Sequence, residues 1–125
     1  MDWLSPFVPR LRRRQIFASL APPEEADVEQ LRGLAAQGSQ LRLPHPVRAF
    51  LVFGEEAQAR NAMDMLQKEG YRVSVRAEPE GGWTVTAITT LVPTPAAITR
   101  LREVMSGLAS GFDGEYAGWA APPVY

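Results

Sequence analysis

Residues 71–88 read YRVSVRAEPEGGWTVTAI. Tyr71, Val73, Val75 and Ala77 alternate with Arg72, Ser74 and Arg76; after a break, Trp83, Val85 and Ala87 alternate with Thr84, Thr86 and Ile88. Strict period two marks a half-buried strand, because successive side chains leave a strand on opposite faces. Between the two runs, Glu78-Pro79-Glu80-Gly81-Gly82 is turn chemistry. The stretch reads as a β-hairpin, with Arg72 and Arg76 on the same solvated face as some of the threonines.

Outward from the hairpin, a helix is predicted on each side. Upstream, Glu55 and Glu56 open it, Gly70 closes it, and Ala59, Ala62, Met63, Met65 and Leu66 supply its apolar face. Downstream, Pro93-Thr94-Pro95 is a start signature: threonine caps, and proline tolerates the first helical position, where no N–H is needed. Ile98, Leu101, Val104, Met105 and Leu108 form a helical stripe that Gly107 and Gly111 weaken and end. Beyond the helices lie two more strands. Residues 47–53 are almost continuously apolar, as in a central strand, and residues 113–119 fit a short final strand.

The resulting order is βαββαβ. It makes two split βαβ units, so the expected class is α+β, a ferredoxin-like plait. Right-handed crossovers then put the first and third strands at the centre of a four-stranded antiparallel sheet, with the helices near 55–69 and 95–109 on one face. A further helix is predicted over 24–37 from Val28, Leu31, Leu34 and Ala35, with acidic residues at its start and Gly38 at its exit. It is expected on a sheet edge or on the open sheet face.

With 125 residues, 46% of them hydrophobic, the chain suffices for one core. We divide it into an arm (1–23), a plait domain (24–119) and a frayed tail (120–125). In the arm, Arg10, Arg12, Arg13 and Arg14 against Asp2 leave +3, so the remainder carries −4 of the net −1. The apolar residues after those arginines are few and run into Pro22-Pro23, which fits a flexible or loosely docked arm, or else a basic amphipathic arm that binds a partner or a membrane surface, better than a secretory signal. No apolar stretch is long enough to span a bilayer, and the expected location is cytoplasmic.

The composition narrows the chemistry. Without cysteine there is no thiol nucleophile, disulfide or thiolate metal site. The only histidine, His45, lies between two prolines in a connector, where it is expected as an exposed loop residue rather than a member of a Ser-His-Asp triad. Glu55 and Glu56 sit where a helix N-terminus favours acids, and adjacent helical residues do not converge. No phosphate-binding glycine motif occurs. RNA-recognition domains share the plait order but need exposed aromatics on the central strands, and neither face of the third strand offers two. No metal, cofactor or catalytic residue is predicted. Trp83 is expected in the core, whereas Tyr116 and Trp119 fit core and interface alike.

Several segments together resemble the RraB family, protein regulators of ribonuclease E. Ala49-Phe50-Leu51-Val52-Phe53-Gly54-Glu55-Glu56-Ala57 is similar to the family's first strand and acidic helix start. Leu66-Gln67-Lys68-Glu69-Gly70-Tyr71-Arg72-Val73 resembles its helix exit and second strand. Trp83-Thr84-Val85-Thr86-Ala87 and Leu91-Val92-Pro93 resemble its third strand and the following turn. Asp113 with Gly114-Glu115-Tyr116-Ala117-Gly118-Trp119 resembles its closing motif. The resemblance implies a plait-like bacterial protein that performs no chemistry and binds ribonuclease E, or its scaffold region, lowering activity on RNA. The chain departs from the usual family pattern in being nearly neutral and in its arginine-rich arm.

Asp113, Glu115, Tyr116 and Trp119 are the candidate partner-binding residues, combining charge with apolar anchors. The competing readings are a small-molecule-sensing or dimeric ligand-binding plait, which needs a polar-lined pocket at a symmetric interface, and a dimeric enzyme, which needs a titratable group on an inner face.

Overall fold

The computed structural model describes residues 23–125. The arm over residues 1–23 therefore lies outside the described residues, except for Pro23 at the first helix start. The elements are α1 (Pro23–Ala36), β1 (His45–Phe53), α2 (Glu56–Lys68), β2 (Arg72–Ala77), β3 (Trp83–Leu91), α3 (Pro95–Gly111) and β4 (Glu115–Ala120).

The strands form one antiparallel sheet in the order β2-β3-β1-β4, with β3 and β1 central. The hairpin registers Arg72 with Ile88, Ser74 with Thr86 and Arg76 with Thr84, so the two arginines share a face with the threonines. Val47, Ala49, Leu51 and Phe53 on β1 and Val85 and Ala87 on β3 meet both crossover helices in one core. Ala59, Ala62 and Leu66 on α2, with Ile98, Leu101, Met105 and Ala109 on α3, complete it. A single cluster containing one sheet face and both helices means that both helices cover that face. On the opposite face Phe50 is also fully buried, so β1 offers no exposed ring for a base to stack on.

The helix ends follow local chemistry. Thr94 Oγ1 accepts the Ala97 N–H at 3.0 Å, with Pro95 at the first helical position. Glu55 and Gln58 form a reciprocal capping box at the start of α2. α3 ends at Gly111, as expected, but the left-handed residue that closes it is not a glycine: Asp113 adopts that conformation, at φ 62°. The Gly114 N–H returns to the Ala109 carbonyl at 2.8 Å, which satisfies one of the last helical acceptors.

Other expectations need correction. Met65 and Val104, placed on apolar faces by spacing, are 41% and 43% exposed; they lie on the margins of stripes narrower than the periodicity suggests. Of the two places expected for the first helix it takes the sheet edge: it packs on α3 and reaches the edge strand β4, extending the helical layer, and the open-face alternative falls away. His45 is not an exposed loop residue but the fully buried first residue of β1. Its Nδ1 lies 2.7 Å from the Leu43 carbonyl, which can only accept, so Nδ1–H donates. Nε2 then accepts from the Ser39 hydroxyl at 2.6 Å. Ser39 Oγ takes the Val124 N–H at 2.9 Å, and the Gln40 N–H reaches the Val124 carbonyl at 2.6 Å. The tail is therefore not frayed at this point: it is hydrogen-bonded to the connector, and His45 is part of that clip.

Candidate functional site

The closing segment carries the four candidate residues, and its geometry begins at Gly114. A β-carbon there would lie 2.4 Å from the Phe53 ring and 2.6 Å from the Val52 carbonyl oxygen. Only a residue without a side chain lets β4 come this close to the end of β1. Asp113 stands exposed on the turn just before this contact, and Glu115 is exposed at the first position of β4, paired with Val52.

Tyr116 and Trp119 go the other way, into the core, at 8% and 4% exposure. They are three residues apart, and regular alternation would send them to opposite faces. The pairing explains why it does not. Leu51 faces Tyr116 and Phe50 faces Gly118, so Ala117 is one extra residue in β4. This β-bulge shifts the alternation by one, and Gly118, at φ 118°, supplies the backbone conformation it needs. Both rings consequently point at the helices, while the carboxylates of Asp113 and Glu115 remain at the surface.

Trp119 is also the hub of a polar latch that was not legible as such in the sequence. Its indole N–H donates to Asp27 Oδ1 at 3.0 Å, and Arg102 donates to Asp27 Oδ2 at 3.2 Å. Gln30 Nε2 donates to the Trp119 carbonyl at 2.6 Å. Asp27 and Arg102 are only 13% and 14% exposed, and the latch ties α1 to both α3 and β4. Burial raises the Asp27 carboxyl above its ordinary pKa, and Glu24 adds to the rise; the indole bond and Arg102 oppose it. In the sequence Asp27 reads only as one of several acids favoured by a helix start. Its partners lie far along the chain and become neighbours only on folding.

Among the described residues no group of three or more His, Asp or Glu side chains is placed to hold a metal ion. No described helix is long and apolar enough to cross a membrane. The arrangement is that of a surface held by a rigid scaffold: two carboxylates at a tight turn, fixed from below by two buried rings.

The family described as Regulator of ribonuclease activity B, RraB, matches residues 24–120. The chain belongs to the RraB family. The matched span runs from the second residue of α1 to the last residue of β4, so it takes in the whole sheet and the closing motif. The RraB family is one of regulators of ribonuclease activity, and the resemblance read from the sequence segments is thereby established at the level of family. No curated protein matches the chain.

Proposed function

We propose that this protein binds a ribonuclease E-type endoribonuclease in the bacterial cytoplasm and lowers its action on RNA, performing no chemistry itself. The observation that carries this reading is RraB-family membership across the folded domain. In the reading, Asp113 and Glu115 meet a basic surface of the nuclease. Tyr116 and Trp119 act from beneath, holding β4 and the turn in place. Residues 24–119 form the binding domain, flanked by the basic arm and the tail.

We also read the fold as a ferredoxin-like plait. The strand order, with β3 and β1 central, and the packing of both crossover helices on one face support that reading. A plait serves regulation by contact: it presents rigid edges and turns without requiring an internal active site.

The test is co-purification of the full chain with the host's ribonuclease E, followed by RNA cleavage with and without added protein. A complex and slower cleavage are expected. Absence of a complex at micromolar concentration, with cleavage unchanged, removes the nuclease from the reading.

A further inference from the structure

A groove of about 430 Å³ lies between α1, the connector after it and the start of α3. Its walls are almost wholly apolar: Val28, Leu31 and Ala35 on α1, Leu41 on the connector, and Pro93 and Pro95 before and at the start of α3. Val28, Leu31 and Ala35 lie on one helical stripe. Val28 is 37% exposed, so this apolar surface is open to solvent.

The groove's charges have one dominant sign. Arg32 and Arg42 both line it and both are exposed. Arg42 is held by the neutral Gln40 Oε1 at 2.5 Å and keeps its full charge, whereas Arg32 shares its charge with Glu29 at 2.6 Å. The first turn of α3 has no acidic side chain, so its positive end beside Pro95 is met by the neutral Thr94 cap and by no negative charge. An apolar slot with a cationic rim is complementary to a segment whose apolar side chains are flanked by carboxylates.

We propose that this groove docks a short amphipathic segment of a partner protein, with aliphatic side chains one helical turn apart and acidic residues beside them. The segment's aliphatic face fills the slot as a helix fills a groove, and its carboxylates meet Arg42 and Arg32. The inference does not depend on the identity of the nuclease. This surface takes an acidic partner segment, whereas the turn at Asp113 and Glu115 is argued to meet a basic one.

The probe is a fluorescein-labelled, acetylated peptide with leucines at i, i+3 and i+4 flanked by glutamates. Its control carries lysines in place of the glutamates. Anisotropy with the full chain should show saturable binding of the acidic peptide that weakens as salt rises, and roughly tenfold weaker binding of the lysine peptide. Arg42→Glu should weaken the acidic peptide by roughly tenfold, and Val28→Asp by at least as much. Both positions are exposed, and circular dichroism checks that each variant folds. Amide chemical shifts should move at Val28, Leu31, Ala35 and Leu41. Equal binding of both peptides, shifts confined to another surface, or no saturable binding at millimolar peptide would overturn the proposal.

Discussion

Gly114 shows how one residue places a surface. Its missing side chain lets the turn after α3 fall against Phe53 and the Val52 carbonyl, and this close approach sets where Asp113 and Glu115 stand. The nearest obstacles include backbone, which cannot rotate away. Gly114→Ala should therefore destabilise by about 1–3 kcal/mol, as overpacking does, read as a shift in the denaturant midpoint. An unchanged midpoint would mean that the turn is looser than described. Asp27 gives a second test at this scale. Its carboxyl is raised in the folded protein chiefly by desolvation, from the ordinary value of 3.8. The folded state thus binds the proton more tightly than the unfolded chain. The stability this adds is present in full below the unfolded value and is lost as pH rises through the raised folded value. Asp27→Asn keeps an acceptor for the Trp119 indole and removes the titration. Stability measured from the acid range to neutrality should then fall less with rising pH in Asp27→Asn than in the native protein. Parallel curves would show that Asp27 does not titrate differently on folding.

At the scale of elements, α3 and β4 make opposite points about pattern. In α3 the spacing of Ile98, Leu101 and Met105 predicts the buried stripe, and those three are buried. Leu101 lies mid-helix at 5% exposure, so Leu101→Ala should cost about 2–5 kcal/mol in a denaturant titration. A loss below about 0.5 kcal/mol would place Leu101 on the surface. In β4 the spacing of Tyr116 and Trp119 misleads, because the bulge at Ala117 reverses the alternation between them. Deleting Ala117 should remove the bulge and leave Tyr116 opposite Leu51 and Trp119 opposite Ala49, now two residues apart as in a regular ladder, so both rings stay in the core. The expected signature is an unshifted tryptophan emission. A red shift would show that pairing with β1 does not set the direction of the ring.

For the molecule as a whole, the proposed function rests on surfaces held by the sheet and helices. The proposed nuclease contact joins two exposed carboxylates, Asp113 and Glu115, to a scaffold of buried rings. Charges at an interface rim act mainly through the encounter rate. Replacing Asp113 and Glu115 together by alanine should slow association and flatten its salt dependence, with little change in dissociation, as followed by surface plasmon resonance. An unaltered association rate would exclude the two carboxylates from the contact. Trp119→Ala tests binding poorly because the ring is core and its indole closes the latch to Asp27.

The sequence by itself determined the order of elements, the hairpin at its centre and the central position of β1 and β3. These follow from local periodicity, turn chemistry and crossover handedness, all carried by residues close in the chain or by general rules of connection. The family resemblance was equally legible, since it rests on ordered segments. Tertiary structure alone decided the rest. Asp27 and Trp119 meet only because α1 lies beside β4, and no periodicity encodes a contact between residues so far apart. His45 is buried because the tail comes back to Ser39 and Gln40 beside it. The direction of Tyr116 and Trp119 was set by pairing with β1: whether a strand carries an extra residue depends on its partner's register, which its own sequence does not contain.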